Sequence, residues 1–445
     1  MATIRLKKGY DLKLQGGVGS DAATVAVKGA AVAVIPDDFH GLVPRLEKRE
    51  GDTVAAGDAL FHDKTVEAIK VTSPVSGKIA RVVRGDRRKI LSIVIEPDGS
   101  GQKRKFDTGS GTLALLLESG LWARLRQRPY DVVPDPAVKP RDIFVTCFDS
   151  APLAPNLARV AGDNMKWLRQ GVEALKGLTD GGNVYLGVRH GEQIDAGDAA
   201  VVNEFIGPHP AGNAGVQAAN VRPVNKGETV WTLDVVTLAK IGRLVATGEA
   251  DYSTLVAVTG TEVATPQYVA TTEGCDMKSL LGGNLADSTA DNKRIISGNP
   301  LTGSVVGIDG YLRAPYRQAT VIEEVAQRDE FMGWASVSPK RFSIYRDFTS
   351  WLLGNRKPVA LDARLKGGKR AIVMSGEYDR MLPMDIYAEF LIKAIIAFDI
   401  DKMEQLGIYE VAPEDFALAE YADTSKLELQ QIVRDGLDRL RKEMC

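Results

Sequence analysis

The hydrophobic pattern changes character several times along the chain. Residues 24–27 and 31–35 are runs of small and β-branched side chains, the second closed by Pro36-Asp37-Asp38. Glycine–aspartate pairs then punctuate the pattern: Gly51-Asp52 before Val54, Gly57-Asp58 before Leu60, and later Gly85-Asp86, with Ser73-Pro74 and Gly77 between them. Each pair is a turn signal between half-buried strands. The pattern predicts a small, tightly turned β module over residues 1–100, and a polar, glycine-punctuated linker at 100–112.

Leu113, Leu116, Leu117, Leu121 and Leu125 recur at helical spacing, interrupted by Ser119-Gly120. After a proline-rich stretch, residues 143–148 form an unbroken apolar run, as in a strand buried on both faces. A helical stretch at 165–176, a strand at 184–188 and a further strand at 201–205 complete a β–α–β alternation. Such alternation implies a parallel α/β sheet over residues 113–253.

From residue 254 short strands return, at 255–260, 267–271 and 294–298, with a short helix at 277–281 between them. This places a second β-rich module at 254–312. A mixed connecting region follows at 313–374, and a helical region at 375–445. In that last region 385–398 has few breakers, and Ser425-x-x-Glu428 reads as a capping box opening a helix with Leu429, Val433, Leu437 and Leu440 on one face. The fold class is therefore mixed, α+β and α/β, in several domains.

Composition narrows the function. Lys and Arg number 56 against 58 Asp and Glu, a net charge of −2. A dedicated nucleic-acid binder needs a basic excess to neutralise phosphates, so no nucleic-acid partner is expected. The 44 glycines fit a fold with many tight turns. Cys147, Cys275 and Cys445 have no C-x-x-C spacing, which argues against an iron–sulfur cluster or structural zinc within the chain. Residues 1–14 are charged and lack the apolar core of a secretory signal. The best apolar run, 390–398, is short and contains Lys393, far from the ~20 residues of a membrane span. If the chain works at a membrane, another protein must hold it there.

Four segments carry candidate chemistry. The Gly-Asp grammar of the β module resembles that of biotinyl/lipoyl carrier domains, a resemblance that implies an acylated lysine at Asp63-Lys64-Thr65, but charged residues at turns are normally just solvated, and that is the favoured reading of Lys64. Gly16-Gly17-Val18-Gly19 does not match G-x-G-x-x-G and precedes a strand, so it reads as a turn. Arg84, Arg87, Arg88 and Lys89, with Lys103, Arg104 and Lys105, read as a solvated basic hairpin. The most unusual segment is Gly207-Pro208-His209-Pro210-Ala211-Gly212-Asn213-Ala214-Gly215. It is a rigid loop with open backbone, able to approach a ligand closely or to pack against another domain. No Ser/His/Asp set, Walker loop or metal spacing appears.

Several strings together carry a resemblance. They are Glu118-Ser119-Gly120-Leu121-Trp122, Arg128-Pro129-Tyr130, Gly207-Pro208-His209-Pro210-Ala211-Gly212, Ile296-Ser297-Gly298 with Leu301, Gly333-Trp334-Ala335, and Met381-Leu382-Pro383-Met384-Asp385. In this order, and over the whole chain, they resemble the A subunits of the bacterial sodium-translocating NADH:quinone oxidoreductases. The resemblance implies a biotinyl/lipoyl-like β module, a Rossmann-like domain, a β-grasp (SLBB) module and a C-terminal helical region. It implies a peripheral subunit on the cytoplasmic face of the inner membrane, with other subunits of the complex, membrane subunits among them, as partners. NADH oxidation, flavins and iron–sulfur chemistry then belong to other subunits, and this chain binds no cofactor of its own.

More distant relatives, the flavoprotein subunit of complex I and the C subunit of the Rnf complex, carry FMN on a glycine-rich stretch. Here bulky residues from Trp122 to Pro129 fill its place, which would block backbone approach to a flavin phosphate. The family's Gly-Thr-His-x-His is replaced by Gly215-Val216-Gln217-Ala218-Ala219. The role that remains is support of the complex and contact with ubiquinone. A pure scaffold is the alternative; an Rnf-type electron carrier would need cysteine quartets the chain lacks. Ligands of α/β sheets sit beyond the carboxyl ends of strands. A quinone site is therefore expected at Cys147, Phe148 and Asp149, beside Pro208, His209, Pro210, Ala211 and Gly212, with Phe148 as an aromatic face and loop amides as donors.

Overall fold

The computed structural model describes residues 1–288, 291–325, 344, 358–365 and 367–444. The string Gly333-Trp334-Ala335 and Cys445 lie outside them. The described residues form a mixed α/β protein with two six-stranded sheets, a smaller pair of sheets and a helical cluster.

The first six-stranded sheet runs in the order Ala2–Arg5, Ala200–Ile206, Val184–Arg189, Asp142–Thr146, Val230–Asp234, Arg126–Arg128. The first five strands are parallel and the last is antiparallel. Alternate residues of Asp142–Thr146 serve opposite faces. Ile143 and Val145 join a core with Leu168, Val172 and Leu238, while Phe144 packs with Ala218 and Val230. The sheet therefore has helices Leu168–Lys176 and Val235–Thr247 on one side and Ala214–Val221 on the other. The two helices on the first side meet through glycines. A Cβ on Gly171 would lie 2.4 Å from the Leu238 carbonyl, and one on Gly242 1.9 Å from that of Trp167.

The second six-stranded sheet has the order Ser304–Val305, Lys293–Ser297, Gln318–Glu323, Ser253–Thr259, Gln267–Thr272, Thr24–Ala26. Helix Met277–Leu281 packs its Met277, Leu280 and Leu281 into the core of this module. Two sequence expectations change here. The strand expected at 24–27 joins this sheet, Val25 opposite Val269, instead of the N-terminal module. Gln318–Glu323, from the segment read as a connection, is a buried strand between two others. Neither is visible locally, because each strand is defined by a distant partner. The N-terminal module keeps a four-stranded sheet, Val32–Val34, Ile90–Pro97, Gly77–Arg84, Thr53–Val54, and a three-stranded one, Pro44–Leu46, Ala59–Asp63, Lys70–Thr72.

Two local readings are corrected. The leucine pattern from 113 does not make one interrupted helix. Thr112–Ser119 ends at Gly120, whose φ of +77° is the left-handed C-cap conformation. Leu121 and Leu125 are then buried by a tight turn leading into Arg126–Arg128. Nor do Ser425 and Glu428 form a capping box. The Ser425 hydroxyl donates to the Ala371 carbonyl at 3.0 Å, and Glu428 pairs with Lys369 at 2.6 Å. The start of Leu429–Met444 is capped from outside: Glu420 accepts from the Gln430 amide at 2.7 Å.

A buried charge pairs the helical region with the edge strand of the parallel sheet, beside an apolar core that the two share. Arg128 is 1% exposed and its partner Asp415 0%, with Nη1 to Oδ2 at 2.6 Å. The same nitrogen donates to the Glu410 carbonyl at 2.7 Å, and Nη2 to Glu414 at 3.2 Å. Burial works against the guanidinium charge, but Asp415 and Glu414 outweigh it. Gly215 leaves the space: a Cβ there would lie 2.3 Å from the guanidinium. Removing one partner of a buried pair leaves an uncompensated charge, costing about 3–5 kcal/mol. Arg128→Met should therefore lower the unfolding free energy by about that amount, measured by urea denaturation. A loss within the ~0.5 kcal/mol typical of surface substitutions would show that Arg128 does not anchor the helical region.

Candidate functional site

All four parts of the molecule border one cleft of about 700 Å³. Its floor is the carboxyl end of the parallel sheet. The chain builds strands outward from Asp142–Thr146 to Val184–Arg189 and Ala200–Ile206, then returns to place Val230–Asp234 on the other side of the first strand. The direction of building reverses between Asp142–Thr146 and Val230–Asp234, and such a reversal opens a crevice beyond the strand ends. Thr146, Phe148 and Asp149 border it from one strand, and Leu233 and Asp234 from the other.

Of the residues predicted for the site, Phe148, Asp149, His209 and Gly212 line the cleft. Cys147, Pro208, Pro210 and Ala211 do not. The Cys147 side chain belongs to the core beneath the sheet, where burial pushes its thiol up. Ala211 is buried in the core beside the C-terminal helices. Alternation along an extended segment explains the split between Cys147 and Phe148.

The loop is held by residues that its own composition does not reveal. Gln217 donates to the Thr146 hydroxyl and to the Ala211 carbonyl, both at 3.1 Å. Thr146 Oγ1 in turn lies 2.7 Å from the Gly212 carbonyl. Gln217 thus ties the loop to the strand end, at a place where the resemblance suggested a histidine. Gly187 makes room for it, since a Cβ there would lie 2.1 Å from Gln217 Oε1. From the N-terminal segment, Asp11 accepts from the His209 amide at 2.8 Å and the Tyr10 amide donates to the His209 carbonyl at 2.9 Å.

His209 is tied to the strand end through Ser150. The Ser150 hydroxyl accepts from the Gly212 amide at 2.8 Å and lies 3.0 Å from His209 Nδ1. Nε2 meets no hydrogen-bond partner among the described residues, and the side chain is buried. Burial lowers the His209 pKa to about 4, so the ring is neutral near pH 7.

The facing wall comes from the second sheet and the N-terminal module. Arg313 pairs with Asp38 at 2.6 Å, and the Ala314 amide donates to the same carboxylate at 2.9 Å. Burial pushes Asp38 up to about 6 against the pull of Arg313. Arg317 pairs with Asp234 at 3.1 Å. Arg124 and Arg126 enter from the segment that the resemblance reads as a filled flavin site. Trp122 there is buried, its indole donating to the Pro134 carbonyl at 2.9 Å and its ring edge-on to Trp231 at 4.9 Å. Gln430 and Arg434 of the last helix close the cleft. Among the described residues no group of three or more His, Cys, Asp and Glu could hold a metal ion, and no helix is long and apolar enough to cross a membrane.

Comparison with known proteins gives these parts a common class. Residues 4–98 match a family model described as the NqrA N-terminal barrel-sandwich hybrid domain, 109–250 the NqrA second alpha/beta domain, and 255–307 the NQRA C-terminal domain, an SLBB module. All three define one subunit type of an oxidoreductase complex. The chain is 34% identical over 449 residues to the A subunit of the Na(+)-translocating NADH-quinone reductase of Marinomonas sp. (strain MWYL1), covering 99% of both chains. It is 35% identical over 460 residues to that of Serratia proteamaculans (strain 568), covering 99% of this chain and 100% of the relative. It belongs to the family of Na(+)-translocating NADH-quinone reductase A subunits. Among solved structures, an NAD+-reducing [NiFe]-hydrogenase is a loose likeness, with a TM-score of 0.34 at 13% identity and 48% of each chain covered.

His209 predicts a pH dependence of stability. Its folded pKa of about 4 lies below the unfolded value of about 6.5, so the unfolded chain binds more protons between the two. The stability tied to neutral His209 is full above about pH 6.5 and is lost as pH falls toward 4. His209→Gln should lose less stability than wild type between about pH 7.5 and 5 in paired urea titrations. The raised Asp38 contributes with the opposite sign in part of this window, but equally in both proteins. Parallel curves would mean that His209 is not held neutral.

Proposed function

We propose that this chain is the peripheral subunit of a sodium-pumping NADH:ubiquinone oxidoreductase, held by membrane subunits at the cytoplasmic face of the inner membrane. It supports assembly, and its Rossmann-like domain receives a quinone headgroup in the cleft. Flavins, iron–sulfur clusters and NADH oxidation belong to the other subunits. The observation that carries the quinone reading is the position of the cleft, at the strand reversal, bordered by Phe148, Asp149, His209 and Gly212. Phe148 supplies an aromatic face, with Arg189 stacked over it at 5.0 Å. Leu157, Leu233 and Phe39 add apolar wall, and polar side chains surround the rest. A quinone head needs such a slot with one or two donors.

Gly212→Val tests the reading. A Cβ at Gly212 would lie 2.6 Å from the Ser150 amide and 2.9 Å from the Phe148 carbonyl. The substitution must therefore displace the strand end from the loop. Loss of one neutral donor would cost about 0.5–1.5 kcal/mol, so the larger obstruction should weaken quinone affinity by about tenfold or more. The check is titration of the assembled complex with a short-chain quinone, beside a melting curve. Unchanged affinity in a well-folded variant would remove the cleft and favour a scaffold. For the peripheral placement, the chain expressed without its partners should leave the membrane fraction in a high-salt and carbonate wash; retention would count against it.

A further inference from the structure

Two carboxylates stand together at the strand reversal. Asp149 follows Asp142–Thr146, and Asp234 ends the neighbouring strand, where it is registered opposite Thr146. Both line the cleft, but their partners differ. Asp234 accepts from the Thr237 amide at 2.7 Å as the N-cap of Val235–Thr247 and pairs with Arg317 at 3.1 Å. Its oxygens are thus committed to the helix start and to Arg317. Asp149 is half-buried, accepts one bond from the Ala151 amide at 2.8 Å, and makes no ion pair among the described residues. Arg189 donates to its backbone carbonyl at 3.2 Å, not to its carboxylate. The charged groups that face it are Asp234 from the next strand, Arg189 from the strand on the other side, and Glu414 from the helical region. Burial, with the Asp234 charge adding to it, raises the Asp149 pKa against the pull of the Ala151 amide and Arg189. Of the two, Asp149 is the carboxyl that borders the cleft with no cation paired to it among the described residues.

We propose that Asp149 is the acid that hands a proton to a carbonyl oxygen of a quinone reduced in this cleft. This rests on the quinone reading of the cleft. In the reduction the quinone takes up two electrons, supplied by NADH through the other subunits, and two protons. The carboxyl O–H of Asp149 breaks as one quinone O–H forms, leaving a carboxylate that regains its proton from water at the open side of the cleft. The second proton comes from water. Other groups fit the role less well. Asp234 is committed to the helix and to Arg317. His209 Nε2 has no open surface, the Cys147 side chain faces the core, and Glu414 lies against Arg128.

The test is steady-state reduction of a short-chain quinone by the assembled complex from about pH 5.5 to 9, with Asp149→Asn, Asp149→Glu and Gly212→Val. Asparagine can still donate a hydrogen bond but cannot give up a proton. A general acid contributes typically about 10²–10⁴-fold, so Asp149→Asn should lower kcat about a hundredfold or more with little change in KM. It should also abolish the alkaline limb of the profile, and Asp149→Glu should restore most of the rate with that limb displaced. If Gly212→Val weakens quinone use while Asp149→Asn keeps the wild-type kcat and profile, the proton role of Asp149 is overturned and the quinone site stands. If Gly212→Val, well folded, also leaves quinone kinetics unchanged, the site itself fails and the proton role with it. Should Asp149→Asn fail to fold by its melting curve, Asp149→Glu decides: a displaced limb supports the proposal, an unmoved one overturns it.

Discussion

A guanidinium with almost no exposed surface constrains everything around it. Arg128 sits on the edge strand of the parallel sheet, and the charge that satisfies it comes from Asp415, in another part of the chain. Ionised groups out of water must be paired and hydrogen-bonded closely to be tolerated, so the helical region has little freedom in how it meets the sheet. Gly215 at the start of Ala214–Val221 and the Glu410 carbonyl fix the guanidinium from two further directions. A second arginine repeats the device at the rim: Arg434 of the last helix pairs with Asp131 and donates to the Tyr130 carbonyl at 2.9 Å. The position of Glu414, Gln430 and Arg434 as one wall of the cleft follows from these pairings.

The loop from Gly207 to Gly212 is fixed from beneath by neutral bonds. Thr146, Ser150 and Gln217 satisfy its carbonyls and amide, and Tyr10 and Asp11 hold its outer edge. The loop therefore behaves as an extension of the sheet. In a low-dielectric site fixed dipoles keep their strength, and His209 is neutral near pH 7. Charged side chains border the cleft in pairs: Asp38 with Arg313, Asp234 with Arg317.

The parts of this arrangement legible in the sequence were those with a local cause. The apolar run at 143–148 implied a strand buried on both faces, and the prolines and glycines of 207–212 marked an ordered loop, because each residue carries its own backbone preference. Period 2 could have separated Phe148 from Cys147, but where alternation resumes past a strand end is set by the tertiary turn. Gln217, Ser150 and Asp11 gave no signal, since a polar residue becomes structural only through partners remote in sequence. The same holds for Thr24–Ala26, whose neighbour in the sheet lies more than two hundred residues away, and for the helix start at Leu429, where Glu420 from the preceding helix took the role that the Ser425-x-x-Glu428 spacing suggested.

The cleft is a joint product of all four parts of the described structure. The cleft floor belongs to the α/β domain, one wall to the segment before Gln318–Glu323, another to the N-terminal module through Asp38 and Phe39, and the last to the C-terminal helices. No single part contains the site, so it exists only while all four are docked. A neighbouring protein that shifts the helical region by even an ångström changes the distances from Glu414 and Arg434 to the strand ends, because packed interfaces move as units and not by gradual deformation. Any contact that moves the helical region is thereby a physical input to the geometry of the cleft.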